Sequence, residues 1–402
     1  MRTRGPAVRK AFFEAKAEKD SVLFRRLALM PPQQAYTLLQ KCGIPRATYL
    51  LRTHHPRDTG AYSKSFDCRN LDVLESAVLQ SPIRAEGRFL REETSILVHL
   101  PRKDGGIGIT RTQCVSHHMF GASADRSLRV KTPEGLPTAD QQTRIAAYNK
   151  TLVTRIDGMG SLSKSHRTAC SLSSSSQWMH RATSLLSPAQ YSAMVRFRVV
   201  CYDSDVAEVS TCQGCHRQYD ARAYHAHKAG CARVLEDNAT VTHNAVRDHL
   251  GKLALRAGVF STKEPRYESY VPQSTDHKKG PDRRFHFPHH LTIDIKGMNP
   301  CTPCYARRDM VKQRAAVERA ARELYERHVF AAGERFEVVF FYITGWLCEK
   351  MKQLLLELCN SCPTQLVYED ELADLQAVIT HHCGNEMLRH GHACGPRRSD
   401  RC

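Results

Sequence analysis

Hydrophobic and polar positions along this chain follow two regimes. Through about residue 130, apolar residues recur at the three-to-four spacing of amphipathic helices. Residues 8–30 predict a helix with a basic outer face, stopped by Pro31-Pro32. Residues 33–42 predict a second helix ending at Gly43, 44–52 a third, and 69–81 a short fourth. Leu97 to Ile109 reads as a strand or extended arm, a glycine turn and a short apolar stretch. Helical spacing resumes over 113–128 and 138–157. Residues 159–177 are serine-rich and poorly patterned, the look of a linker or exposed loop. Apolar periodicity recovers over 187–200.

The second regime alternates helices with short apolar runs. Val241, Ala245, Val246, Leu250, Leu253 and Ala254 form one helical face over 238–256, and Gly258 ends that helix. A strand over 259–263 leads to Glu264-Pro265. A polar loop then precedes Asp282, a strand over 283–287, a turn at 288–290 and a strand over 291–296. A helix over 306–330 and an almost wholly apolar strand over 336–343 follow, the latter patterned as a buried central strand. The order helix, strand, strand, strand, helix, strand, together with the cluster Pro281-Asp282…Asp294-Ile-Lys296 on its inner strands, matches an α/β C-terminal domain of the restriction-endonuclease-like, PD-(D/E)XK type. A mostly α-helical domain and a small cysteine-rich module precede it.

Charge changes this picture more than bulk composition does. The 59 lysines and arginines outnumber the 41 acidic residues, for a formal net charge of +18. That excess predicts attraction to a polyanion, nucleic acid first. No run approaches the roughly 18 apolar residues of a membrane span. The basic N-terminus lacks the apolar core of a secretory signal. The 16 cysteines are spread over 402 residues without such a signal, which favours reduced thiols and metal ligands over disulfides.

Two constellations carry chemistry. Asp282 follows Pro281, and Asp294 lies twelve positions on, too near for a helical crossover, so the two acids belong on adjacent antiparallel strands. Asp294 and Lys296 leave the same face of one strand. Asp282 and Asp294 suit Mg²⁺ or Mn²⁺, with the Ile295 carbonyl able to complete the shell and Glu264 as a further acid. Lys296 is placed to orient water or stabilise charge on a phosphodiester. Arg307, Arg308, Arg314 and Arg319 on the following helix would track DNA phosphates or form a solvated face.

The second constellation is Cys212-Gln-Gly-Cys215 followed by His225, His227 and Cys231. Three thiolates and one imidazole make a closed tetrahedral zinc site. His227 leaves three residues before Cys231, the interval of a helical turn, and is favoured; His225 and His216 are alternatives. The pairs Cys301/Cys304 and Cys359/Cys362 lack obvious partner pairs; Cys359/Cys362, at an apolar helix, reads as buried thiols, and Cys301/Cys304, directly after the acid-bearing strand, is a remote candidate for a second metal site. The tail from His390 to Cys402 reads as a basic, disordered end.

Several motifs resemble the site-specific non-LTR retrotransposon reverse transcriptases. Cys42-Gly-Ile-Pro-Arg46, Tyr49-Leu-Leu-Arg-Thr53, Phe66-Asp67 and Leu100-Pro-x-x-x-Gly-Gly-Ile-Gly-Ile109 are similar to the helical thumb and connection of that family over about residues 20–125. The Cys-Cys-His-Cys set resembles its zinc knuckle. His243-Asn244, Val246-Arg247-Asp248, Glu264-Pro265, Pro281-Asp282, Asp294 and Thr344-Gly345 resemble its C-terminal endonuclease domain over about 205–360. The family implies nicking of target DNA to prime reverse transcription, with Asp282 and Asp294 as metal-binding acids, and implies a nuclear location. The chain departs from the family on the following helix, where Arg322-Glu-Leu-Tyr325 stands in place of the family's lysine. A polymerase palm needs an exposed Asp-Asp pair; Tyr202-Asp203-Ser204-Asp205 follows the thumb-like region and reads as a loop, so no polymerase activity is expected.

The expected organisation is therefore a thumb-like region over 1–130, a helical linker over 131–204, a zinc knuckle over 205–235, an endonuclease domain over 236–362, and a helix with basic tail over 363–402. The expected activity is metal-dependent DNA nicking with structural Zn²⁺ and catalytic Mg²⁺ or Mn²⁺. Expected partners are DNA, retroelement RNA and a separate polymerase-containing protein, and no membrane. A non-catalytic nucleic-acid-binding remnant is the competing expectation.

Overall fold

The computed structural model describes residues 5–129, 140–181, 185–202, 209–212, 215–228, 235–269, 280–301, 306, 308–362 and 366–392. The chain divides into two compact units: Met1–Ser171 with Tyr191–Cys201, and Leu172–Gln190 with Tyr202–Cys402.

The first unit is helical. Its helices include Pro6–Leu27, Pro32–Leu38, Pro45–Thr53 and Pro56–Val73, each opened by a proline. Proline costs nothing there, because its missing N–H would find no intrahelical acceptor and its fixed φ suits the first turn. A small hairpin pairs β1 (Arg84–Ala85) with β2 (Arg88–Phe89). Helices Glu92–His99, Thr112–Arg129, Gln141–Asp157 and Ser161–Ser171 complete the described part of the unit, with Tyr191–Cys201.

Asp67 links two of these helices. Its buried carboxylate accepts Thr112 N (2.8 Å), Thr112 Oγ1 (2.6 Å) and Gln113 N (3.0 Å), capping the Thr112–Arg129 helix from the Pro56–Val73 helix. Those donors have no intrahelical acceptor, so the carboxylate meets both their hydrogen-bonding need and the positive end of the helix dipole.

Two segments differ from their patterns. Leu97-Val-His99 ends a helix rather than forming a strand. Glu92 and Glu93 favour its N-terminus, and Ile96, Leu97 and Val98 are all buried. A short continuous apolar run does not distinguish helix from strand. The chain then returns beside that helix, with Ile107 N donating to Leu97 O and Ile109 N to Val98 O, both at 3.0 Å. Gly105 (φ 99°) makes the turn, and a Cβ on Gly106 would lie 2.1 Å from Leu100 O. The serine-rich stretch is also helical over Ser161–Ser171, with Ser163, Ser165, His166, Ala169 and Cys170 buried. Small side chains let this helix pack closely, and His166 Nε2 lies 3.1 Å from Arg198 O. Apolar periodicity alone does not register a helix buried by small polar residues.

In the second unit, β3 (Val209–Thr211) and β4 (Gln218–Asp220) form an antiparallel hairpin followed by helix Ala221–Lys228. Helix Leu235–Arg256 precedes a four-stranded sheet in the order β5 (Ser261–Lys263), β6 (Arg283–Phe285), β7 (Leu291–Met298), β8 (Arg335–Tyr342). β5–β6 and β6–β7 are antiparallel; β7–β8 is parallel. Parallel neighbours need a crossover, and helix Met310–Ala331 supplies it. That helix starts later than its apolar spacing suggests, because Asp309 caps it by accepting Val311 N (2.7 Å) and Lys312 N (3.1 Å). Arg308 therefore precedes the helix instead of lying on its face.

The core of this unit lies on the sheet. Val246, Leu250 and Leu253 of helix Leu235–Arg256, Phe285, Ile293 and Ile295 of β6 and β7, Val338 and Val339 of β8, and Leu354 and Leu355 of helix Glu349–Ser361 belong to one buried cluster. Leu375 and Ile379 of helix Tyr368–His392 extend the same cluster. Each fully buried large apolar side chain contributes about 1.5–3 kcal/mol. A half-exposed pair such as Lys350–Glu337 contributes only about 0–1 kcal/mol, so apolar burial dominates the hold on the sheet.

Candidate functional site

The β6–β7 register places Arg283 opposite Ile293, which brings Asp282, one residue earlier, beside Asp294. Asp282 N donates to Ile293 O at 2.9 Å, and its Oδ2 accepts Ile295 N at 2.6 Å. β6 has no backbone partner for Ile295, and the Asp282 carboxylate takes that role. N–H and C=O of one strand residue leave on the same edge, so the Ile295 carbonyl points toward that edge as well. Both acids are buried, at 7% and 3% exposure for Asp282 and Asp294. Lys296 is half-buried, with Nζ 2.8 Å from Asp294 Oδ2.

The two carboxyl groups are close enough to share a proton. Burial pushes Asp294 up to about 6, with the Asp282 charge adding to the rise and Lys296 opposing it. Burial also acts to raise Asp282, but the hydrogen bond and charge of His243, the Ile295 N–H and the Asp294 carboxyl outweigh it and hold it below the ordinary carboxylate range. Asp294 is thus the more readily protonated of the two. Asp294 Oδ2 receives no aligned hydrogen bond despite the nearby ammonium. Two buried carboxyl groups side by side on neighbouring strands suit a hard divalent cation, whose charge would relieve their mutual repulsion.

Two residues of helix Leu235–Arg256 whose roles the sequence pattern does not show also reach this neighbourhood. His243 Nε2 lies 3.0 Å from Asp282 Oδ1. Burial lowers the His243 pKa, but the Asp282 hydrogen bond and charge outweigh it, leaving the imidazole above its ordinary value. Arg247, one turn on, is buried and ion-paired to Glu264. The signal was a polar pair four positions apart on helix Leu235–Arg256, beside the buried positions Val246 and Leu250. Glu264, expected among the metal-binding acids, is instead engaged by Arg247. Among the described residues it forms no group of three ligand atoms with Asp282 and Asp294. Its backbone is strained at φ 47°, and its N–H donates to Asp282 O at 3.0 Å, so its contact with the site is through the main chain.

The expected phosphate-tracking arginines differ in placement. Arg308 is exposed ahead of the crossover helix, and Arg307 lies outside the described residues. The Arg314 guanidinium sits 4.8 Å from the Trp346 ring centroid, a cation–π contact. His289 is an exposed turn residue.

The cysteine-rich module brings ligand atoms of Cys212, Cys215 and His227 within 4.8 Å of one another, the one such group of three among the described residues. The β3–β4 turn presents the thiols, with Cys212 N bonded to Arg217 O at 2.9 Å. Cys215 Sγ lies 3.3 Å from His227 Nε2, and the Tyr219 ring stacks on His227 at 4.1 Å. His225 packs against Tyr202 at 5.1 Å, and His216 is exposed. Cys231 lies outside the described residues. Two thiols and an imidazole converging without a disulfide fit three ligands of a tetrahedral zinc site. Of the expected buried thiols, Cys359 is buried and Cys362 partly so; Cys301 is also buried, and Cys304 lies outside the described residues.

No family model matches the chain. The retrotransposable element SLACS 132 kDa protein of Trypanosoma brucei gambiense is 26% identical over 137 residues, or 34% of this chain. That similarity supports a retrotransposon origin. The matched stretch spans 11% of the length of that curated relative. No helix among the described residues is long and apolar enough to cross a membrane.

Proposed function

We propose that this chain is a metal-dependent DNA endonuclease of retrotransposon origin, with a restriction-endonuclease-like nuclease core that nicks target DNA. The observation that carries this reading is the buried Asp282–Asp294 pair, with Lys296 Nζ 2.8 Å from Asp294 Oδ2. Asp282, Asp294 and the Ile295 carbonyl would hold Mg²⁺ or Mn²⁺. Such an ion supplies Lewis-acid polarisation of a phosphoryl oxygen and an acidified water. Lys296 would stabilise the charge that develops on the phosphate as its P–O bond breaks. His243 and the Ile295 N–H hold the Asp282 carboxylate in place. Cys212, Cys215 and His227, with Cys231 as fourth ligand, would hold a structural zinc. DNA as substrate puts the working location in the nucleus, and the retrotransposon relationship adds retroelement RNA and a polymerase-bearing protein as partners.

The test is nicking of supercoiled plasmid with Mg²⁺ by wild type, Asp294→Ala and Lys296→Ala. We expect a loss of at least about a hundredfold in either variant, the scale for removing a charge-stabilising group. Equal cutting by wild type and Asp294→Ala, or none by well-folded wild type, would overturn the reading. Salt-dependent DNA binding without cutting would instead favour a nucleic-acid-binding protein.

A further inference from the structure

The Leu100–Arg111 segment takes no part in the acid pair or the thiolate site. Within the first unit it walls a cleft of about 340 Å³. Lys103 and Arg111 line it and are exposed, and Arg102 adds a third cation; no acidic side chain is among its described lining residues. The opposite wall is Ile145, Tyr148 and Asn149 of helix Gln141–Asp157.

The loop between these walls is pinned. Gln40 Nε2 donates to Ile107 O at 2.9 Å and to Gly108 O at 3.1 Å. His99 Nδ1 lies 2.6 Å from Ile109 O. Burial depresses His99 to about 4, so the neutral ring donates through Nδ1 and keeps an acceptor at Nε2. That Nε2 is buried without a hydrogen-bond partner, and His99 lines the cleft. The glycine-rich turn thus presents cations from a fixed backbone and leaves an unmet acceptor beside them.

Cationic and aromatic surface meet in this cleft. An inorganic anion needs only the cations. A nucleotide needs both, since a base stacks on an aromatic ring while its phosphate is held by lysine or arginine. A duplex base is already paired and stacked, and sequence-tolerant stacking on side chains requires a splayed single strand. The volume lies within the range of pockets that enclose one small organic group.

We propose that this cleft binds one nucleotide of a single-stranded nucleic acid, its phosphate at Lys103 and Arg111 and its base against Tyr148. The site is separate from the nuclease centre and does not depend on that reading.

The test uses the full chain and short single-stranded RNA and DNA oligonucleotides carrying 5-iodouracil, with affinity measured across a salt series. We expect photo-crosslinking to Tyr148. For Lys103→Gln/Arg111→Gln we expect the slope of log K against log salt to fall by about 0.7 per cation removed. Tyr148→Ala should weaken binding at least roughly fivefold, with Tyr148→Phe near wild type. Asp294→Ala should bind as wild type does, which separates failure here from failure of the nuclease reading. Crosslinks confined to other segments with an unchanged slope would overturn the proposal. So would duplex binding equally sensitive to Tyr148→Ala, or competition by inorganic phosphate as strong as by a nucleoside monophosphate, the latter marking a simple anion site.

Discussion

His243 Nε2 lies 3.0 Å from Asp282 Oδ1, tying helix Leu235–Arg256 to the carboxylate that also accepts Ile295 N. This bond holds one oxygen while the strand holds the other, and so sets how Asp282 presents itself to a cation. His243→Gln keeps a donor near the same place; His243→Leu does not. Mn²⁺ affinity, followed by calorimetry, should fall about tenfold in His243→Leu and change little in His243→Gln, about the scale of one hydrogen bond to a charged group. Equal loss in both variants, or in neither, would count against a positioning role.

Asp294 should make the metal-free protein sensitive to pH. Its folded carboxyl is raised to about 6 from an ordinary 3.8, so the folded state binds this proton more tightly than the unfolded state. The stabilisation it brings is present at low pH and lost as pH rises from about 4 to about 6. Asp282 works in the opposite sense. Its depressed value favours folding above the ordinary carboxylate range, a contribution lost as pH falls. Asp294→Asn removes the first effect and, with its amide, keeps a hydrogen-bond donor toward Asp282. Without divalent cation, the variant should gain on the order of 1–3 kcal/mol over wild type at pH 8 relative to pH 4 in urea denaturation. A difference independent of pH would contradict the assignment.

Zinc content should sort the histidines. Cys215→Ser and His227→Ala should each lose the metal measured by elemental analysis, since each removes a ligand from the group of three. His225→Ala, whose ring packs on Tyr202, should retain it. Retention in His227→Ala with loss in His225→Ala would reverse the ligand choice.

Asp67 should matter to folding of the first unit. Asp67→Ala leaves Thr112 N, Thr112 Oγ1 and Gln113 N without their common acceptor. We expect a loss of at least about 1.5–3 kcal/mol in denaturant midpoints, the value of hydrogen bonds to a charged group. Asp67→Asn, which keeps one acceptor oxygen, should cost less. A loss below about 0.5 kcal/mol in Asp67→Ala would mean that water replaces the cap.

Local chemistry determined much of this protein in advance. Prolines 6, 32, 45 and 56 start helices because their constraint is internal to one residue. The strand nature of Leu291–Met298 lies in the alternation of apolar with polar residues and that of Arg335–Tyr342 in a nearly continuous apolar run, and the spacing of Asp282 and Asp294 admitted a close antiparallel approach. Tertiary structure decided the rest. Glu264 pairs with Arg247, His243 reaches Asp282, and His227 rather than His225 meets the thiols, all through contacts between separately placed elements. Ser161–Ser171 is helical because its small side chains are buried by neighbours, a gain that periodicity within the segment does not encode. A side chain's partner depends on the register and packing of distant segments, whereas a turn, a cap or an apolar run depends on its immediate neighbours.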